Sequence, residues 1–488
     1  MRLSGTDASF VYTETASGPT HVSSIFVVDG ELPFDKIFDH VQARLHLLPR
    51  FVKRMQFVPF NLAHPKWVND PEFDLRNHVL LRTIPPDSTL EDAIDAAMEM
   101  NEPMLDRSRP LWKLCVVEGV AGKTLLLQII HHAMIDGVSG VELSTILFDL
   151  DPNAGEPPPP AEPLQAEPLA SAGELLGEAI RENFDQVRNR FAGASGNVSG
   201  ERRELMATAT QLMLNFILRP AITAPFNAGL VGPKRRFRWI QHDFGEVRDV
   251  RRSLGGTIND LVLTVVSEAV ARYMQARGVD VEDKFLRIVC PVSVRREDEM
   301  GAIGNRVSAI FPVAPAWPMD VVERLQRICR ETERIKAGGE AQALTLLMEQ
   351  SDDMPPIAMA PSQLIGTAFD PTALAARLPL PVFPQLGAQI PNIGFNFTCT
   401  NVPGVQVPLF LLGHEIVDNV GVLLLTANLG LGIAIHSYNK KLFYAFLCEP
   451  RLLPDLEHLV EAADTVFKEL QTAARHIEAS QAATSAGS

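Results

Sequence analysis

Residues 131 to 137 read His-His-Ala-Met-Ile-Asp-Gly, a set of side chains able to move protons. A neutral imidazole takes a proton from a hydroxyl or thiol near pH 7, because its unperturbed pKa is about 6.5. The doublet follows a largely apolar run, Leu125 to Ile130, that reads as a buried strand, and it precedes a helical spacing through Val141, Leu143, Ile146 and Leu147. The histidines therefore stand at a strand's end, where α/β proteins hold reacting groups on rigid support. Adjacent strand residues point to opposite faces, so one of His131 and His132 is the expected base and the other is structural. Asp136-Gly137 is a turn signal, which gives Asp136 the work of holding the loop that aims the base. The plainer alternative is a pair of core histidines before an ordinary turn. His132 and Asp136 would share a helix face, but no third residue at ligand spacing accompanies them, and no metal is expected.

The elements that must position this motif are legible around it. Ile25 to Val28 reads as a strand, Phe34 to Leu48 carries a helical period, and Thr89 to Met98 is a helix begun by Ser88 or Thr89. Asp151 to Pro168 breaks the pattern, with Pro157 to Pro160 forming a stiff connector. Two helical stretches follow, Ala170 to Phe191 and Arg202 to Leu218, as a crossover between two halves. The second half opens near Phe237. Thr257 to Met274 has helical spacing that puts Asn259-Asp260 near a helix start, where Thr257 or Asn259 would cap. Phe285 to Val292 and Val307 to Val313 read as strands, and Val321 to Lys336 as an amphipathic helix. Val420 to Ile435 reads as two strands joined by a turn, and Gly432 to Ser437 with Leu442 to Leu447 as a hairpin. Leu453 to Leu470 is a closing helix, and the Ala/Ser-rich end beyond His476 is expected to be disordered. The resulting divisions are 1-150, a linker and crossover over 151-236, 237-476, and a tail over 477-488.

The motif matches the His-His-x-x-x-Asp-Gly signature of the coenzyme A-dependent acyltransferase superfamily. Further segments are Leu3-Ser4-Gly5-Thr6-Asp7-Ala8, Pro110-Leu111-Trp112, Asn259-Asp260, Pro291-Val292-Ser293-Val294-Arg295, Gly304-Asn305-Arg306-Val307-Ser308 and Asn401-Val402-Pro403-Gly404. As an ordered set spanning nearly the whole chain, they resemble the bacterial wax ester synthase/acyl-CoA:diacylglycerol acyltransferases. Two departures stand out: Val405 follows Gly404 where the family usually has proline, and Cys399-Thr400 precede Asn401 where serine is common.

The resemblance implies a two-domain α/β fold of the chloramphenicol acetyltransferase-like kind, with an active-site tunnel at the domain junction. It implies transfer of a long-chain acyl group from acyl-CoA to diacylglycerol or a fatty alcohol, without a cofactor. His132 would be the base and Asp136 the orienting residue. Asn259 would stabilise the oxyanion or serve as a cap or interdomain contact, and Asp260 would hold its helix against the first domain. Pro110, Leu111 and Trp112 would support the tunnel, and Asn401 would contribute to substrate binding or support. Leu364 to Phe397 would form a lid, a lipid-facing surface or a buried irregular segment. The competing readings are a condensation-type enzyme using a carrier-protein thioester and a non-catalytic lipid-binding protein of the same fold. No carrier or adenylation module is seen in the chain, and the intact His132, Asp136 and Gly137 argue for catalysis.

Composition bounds the rest. The chain has 488 residues, 46% of them hydrophobic and 21% charged, which fits an ordinary folded protein of two domains. A net charge of -15 opposes a nucleic-acid partner. Lys234, Arg235, Arg236 and Arg238 form a local basic cluster suited to CoA phosphates, lipid headgroups or a solvated turn. The scattered cysteines 115, 290, 329, 399 and 448 lack pairing or zinc spacing and suit a reducing cytosol. The start, Met-Arg-Leu-Ser-Gly-Thr-Asp, has no extended apolar core, and no secretory signal or membrane span is expected. The expected location is cytoplasmic, with peripheral contact at the inner face of the membrane or a lipid droplet.

Overall fold

Most strands and helices form where apolar periodicity marks them. The computed structural model describes residues 2–134, 144, 146–159, 168–193, 207–208, 210–212, 214–216, 218–293, 307–345 and 394–486. Asp136, Gly137 and residues 364–393 of the proposed lid lie outside the described residues. In chain order the elements are α1 (Gly5–Thr13), β1 (His21–Asp29), α2 (Phe34–Arg44), β2 (Lys53–Gln56), β3 (Lys66–Asn69), β4 (Val79–Ser88), α3 (Leu90–Asn101), β5 (Trp112–Val120), β6 (Lys123–His131) and α4 (Ala172–Gly193). There follow β7 (Arg236–Asp243), α5 (Phe244–Leu254), α6 (Ile258–Ala276), β8 (Phe285–Ser293), β9 (Val307–Ile310), β10 (Val313–Pro315) and α7 (Val321–Gly338). The last elements are β11 (Phe397–Pro403), β12 (Leu409–Leu411), β13 (His414–Val422), β14 (Leu431–Tyr438), β15 (Lys441–Cys448) and α8 (Leu456–Ala486).

Two mixed sheets organise the molecule. One has the order β12-β13-β1-β6-β5-β4, and the other runs β10-β8-β11-β14-β15-β7 with β9 on β8. Each backs its own apolar core: Val27, Leu126, Val116 and Ala97 in the first, Val265, Ile288, Ile433 and Val466 in the second. The helix α6 is enclosed from Asp260 to Ala271, as expected for a helix apolar on most of its circumference.

Two expectations need correction. The first half does not close at residue 150, because β13 pairs antiparallel with β1, Val420 opposite Ile25. The chain thus returns to the first sheet after building most of the second. Val420 to Ile435 does hold the ends of two strands with a turn between them, as expected, but β13 and β14 belong to different sheets. Leu425 is buried in the first core and Leu431 in the second, so the apolar run is continuous because it passes between two interiors. Finally, the end beyond His476 is helical through Ala486. Its Ala, Glu and Gln residues favour helix, no Gly or Pro interrupts them before Gly487, and Ser253 Oγ donates to Glu478.

The hairpin β14–β15 forms as expected, with Tyr438 opposite Lys441. Among the described residues, no single helix is long and apolar enough to cross a membrane.

Candidate active site

The strand β6 ends at His131, and His132 begins a tight turn over His132–Met134. The two imidazoles consequently have different surroundings. His131 is fully buried, and its Nδ1 accepts the Ala133 N–H at 3.1 Å. Its Nε2 lies 3.1 Å from Thr20 Oγ1. That hydroxyl donates to Phe10 O at 2.9 Å, so the hydrogen between Thr20 and His131 belongs to Nε2. Both ring nitrogens are therefore occupied structurally.

His132 is half-buried, its ring stacked on Phe10 with centroids 3.8 Å apart and planes 12° apart. Its backbone N–H donates to Thr20 O at 3.0 Å. Its Nδ1 is enclosed without a hydrogen-bond partner among the described residues. Burial, with a smaller contribution from His131, pushes its pKa down to about 4. The ring is thus unprotonated at neutral pH, with a lone pair available.

Glu14 supports this pair, and the sequence reading missed it. Its side chain is fully enclosed and lies 3.6 Å from His131 Nε2. It also accepts from Arg107 Nη2 at 2.9 Å and from the Thr20 N–H at 3.1 Å. Burial raises the carboxyl pKa, but His131, Arg107 and the Thr20 amide outweigh it and hold the group at about 2. Arg107 lies in the segment leading to Pro110-Leu111-Trp112, but no spacing rule connects it with a carboxylate 93 positions away.

Pro110, Leu111 and Trp112 frame the same sheet end. Leu111 O accepts the His131 N–H at 3.0 Å, and Pro110 O accepts the Trp112 N–H at 3.0 Å. Trp112 is buried, donates from Nε1 to Phe51 O at 2.7 Å, and stacks on His78. These contacts are structural support.

Asn259 and Asn401 meet: Asn401 Nδ2 donates to Asn259 Oδ1 at 2.5 Å. Asn259 is exposed in the first turn of α6, and Thr257 is the cap, accepting the Asp260 N–H at 3.2 Å. Asp260 completes the reciprocal cap by accepting from Thr257 N at 2.7 Å. Its other oxygen accepts from Thr332 Oγ1 at 2.7 Å. Asp260 therefore ties α6 to α7 within the second half, not to the first domain as expected. No hydrogen bond or ring contact joins either asparagine to His132 among the described residues.

The basic cluster is occupied by carboxylates. Lys234 reaches Glu102 at 2.9 Å, Arg236 reaches Glu457 at 2.7 Å, and Arg238 reaches Asp95 at 2.6 Å. Arg235 donates to the carbonyls of Gly232, Lys234 and Ser17. These residues fasten β7 and its approach to α3 and α8, so the ligand-binding reading of this cluster is set aside. Among the described residues, no group of three His, Cys, Asp or Glu side chains converges as metal ligands.

Known proteins resemble this chain over nearly its whole length. Residues 3–262 match the wax ester synthase/diacylglycerol acyltransferase catalytic domain, and residues 303–471 match the C-terminal domain of that family. A probable diacylglycerol O-acyltransferase of Mycobacterium tuberculosis is 26% identical over 487 residues, covering 96% of this chain and 95% of the relative. A putative diacylglycerol O-acyltransferase of the same species is 32% identical over 336 residues, covering 66% and 70%. The solved wax ester synthase/diacylglycerol acyltransferase from Marinobacter aquaeolei VT8 superposes with a TM-score of 0.64 at 21% identity, covering 97% of this chain and 100% of that one. A starter condensation domain of rhizomide synthetase, solved with C8-CoA and Leu-SNAC, has a TM-score of 0.55 at 14% identity, covering 97% and 94%. The last two likenesses concern the fold.

Proposed function

The chain belongs to the wax ester synthase/diacylglycerol acyltransferase family, and from that premise we propose that it transfers a long-chain acyl group from acyl-CoA to the hydroxyl of diacylglycerol or a fatty alcohol, with His132 as general base. The observation that carries the assignment is the contrast between the two imidazoles: His131 has both nitrogens engaged, whereas His132 is unprotonated and half open. The imidazole takes the acceptor hydroxyl's proton as oxygen attacks the thioester carbon. The tetrahedral intermediate then collapses, the C–S bond breaks, and the imidazolium returns the proton to the departing sulfur. Protons and electrons balance within donor and acceptor, so the step requires no cofactor. Holding both substrates beside the ring contributes several kcal/mol through orientation.

The oxyanion requires a donor. Asn401 occupies Asn259 Oδ1, which leaves the Asn259 NH₂ group as the donor of that amide. Asn259 is our candidate for this role. Asp136 and Gly137 would hold the loop beyond His132.

The pH dependence of transfer from palmitoyl-CoA to dioleoylglycerol tests the base. The active form is neutral imidazole and the His132 pKa is about 4, so kcat/KM should stay level from pH 8 to about 5 and fall only near the depressed pKa. An acid limb centred near 6.5 would contradict the assignment. His21 and His436 are also pushed to about 4 by burial. The unfolded chain binds protons near 6.5 where the fold does not, so stability itself declines as pH falls from 6.5 towards 4. Circular dichroism at each pH separates that decline from loss of turnover.

The acceptors reside in lipid, and we assign peripheral contact to an apolar surface at the start of the crossover. Phe60 is 81% exposed, Phe184 69% and Ile180 56%. Gln56 fixes Ala170, and Asn183 donates to Leu62 O at 2.8 Å, joining the two segments that carry these side chains. Single exposed apolar residues are common, but aromatic tips gathered on one surface suit interfacial insertion. The double variant Phe60→Ser/Phe184→Ser should lose most of its co-flotation with phosphatidylcholine vesicles containing dioleoylglycerol, while retaining its Tm; unchanged flotation would relocate the contact. A reducing, cytoplasmic compartment suits the free thiols of Cys115, Cys290, Cys399 and Cys448.

A further inference from the structure

A cavity of about 270 Å³ opens at the start of β5, lined by Arg76, His78, Asp106, Arg109, Trp112 and Lys113 among others. Its floor is held rigidly by buried rings: His78 stacks between Phe73 and Trp112, with centroids 5.2 and 4.7 Å away, and His78 Nδ1 lies 2.9 Å from Trp112 O. Its charge is unbalanced. Among the described residues, neither Arg76 nor Lys113 makes an ion pair. Arg109 approaches Asp106 only to 3.6 Å, and Asp106 Oδ1 is taken by Ser108 N and Oγ at 2.9 and 2.7 Å. The neighbouring Asp74 is turned to the backbone N–H of Arg76 at 2.9 Å. Three cations therefore face one carboxylate in a chain of net charge -15.

The cavity's place in the sheet adds to its chemistry. Leu111, beside Trp112, accepts the His131 N–H, so the cavity lies one strand from the histidines at the same end. The loop between carries Arg107, which holds Glu14. Guanidinium groups clasp phosphate oxygens in a planar fork, and lysine adds a point charge. The volume is just under the roughly 300–1,000 Å³ typical of a site for a whole ligand, so it fits one end of a larger molecule.

We propose that this cavity binds the phosphoadenosine end of the CoA donor, with Arg76, Arg109 and Lys113 on its phosphates and the buried His78–Trp112 stack as the rigid floor that carries them. The proposal rests on the acyl-CoA reading above. It explains how an acidic protein retains a polyanionic donor when Lys234, Arg236 and Arg238 are already paired with carboxylates.

The test is calorimetric binding of adenosine 3′,5′-bisphosphate and of inorganic phosphate to the full chain and to Arg76→Gln/Lys113→Gln. Loss of charge-assisted hydrogen bonds should weaken bisphosphate binding by about tenfold or more, with inorganic phosphate much weaker in both proteins. Kinetically, the variant's preference in kcat/KM for palmitoyl-CoA over the palmitoyl thioester of N-acetylcysteamine, which lacks phosphate, should fall by a similar factor of about ten. A variant that binds bisphosphate like the wild type, or a wild type that does not bind it, would overturn the proposal; equal affinity for both probes would reduce the cavity to a bare anion site and also overturn it. Bisphosphate binding lost in the variant, with no turnover of either thioester by the wild type, would instead defeat the acyl-transfer reading and leave the site standing.

Discussion

His132→Ala is expected to lower kcat for ester formation by about 100-fold or more, the usual range for loss of a general base, with near-native circular dichroism and Tm. The structure supports both halves of that expectation. The ring has no side-chain hydrogen bond among the described residues, and its packing is chiefly the stack on Phe10, so its removal leaves no buried polar partner stranded. The backbone bond from His132 N to Thr20 O survives the substitution. Residual turnover within a few-fold of wild type would exclude His132 as the base. His131→Ala should behave differently, because it strips partners from Thr20, Glu14 and the Ala133 amide and so damages stability together with rate.

Glu14→Ala is expected to destabilise the protein by about 3 kcal/mol, the scale for removing one member of a buried ionic network, and to lower activity with it. Glu14 has no exposed side-chain surface, and it collects Arg107, the Thr20 N–H and His131. The substitution leaves Arg107 without its carboxylate and frees the Thr20 segment whose carbonyl holds His132. The folded pKa of Glu14 is about 2, below its ordinary value of 4.5, so its contribution is present above pH 4.5 and is lost as pH falls towards 2. Thermal unfolding at pH 7 should show a Tm lowered by several degrees. An unchanged Tm with unchanged turnover would remove Glu14 from the support of the site.

Elements governed by local rules were legible in the sequence. The apolar run before His131 specifies β6, Thr257 with Asp260 specifies the start of α6, and the residues about Asn439 mark the β14–β15 turn. Long-range arrangements were not legible. An apolar strand carries no label for the sheet it joins, so β13 pairing with β1 could not be read from Val420 to Ile435. The Glu14–Arg107–His131 network joins distant segments through burial, which residue type alone does not reveal. The ion pairs of the cluster at Lys234 to Arg238 were hidden for a related reason: its carboxylate partners, Glu102, Asp95 and Glu457, are remote in sequence. Asp260 was correctly marked as a residue that holds a helix, but its partner Thr332 lies in the same half.

The measurement that tests the central claim most directly is release of free CoA from palmitoyl-CoA by the purified protein, with dioleoylglycerol, hexadecanol or no acceptor, and with the lipid products analysed in parallel. Acyl transfer to a hydroxyl predicts CoA release that depends on acceptor, matched mole for mole by triacylglycerol or wax ester. Release at the same rate without acceptor, or no release by a folded protein with either acceptor, would contradict it.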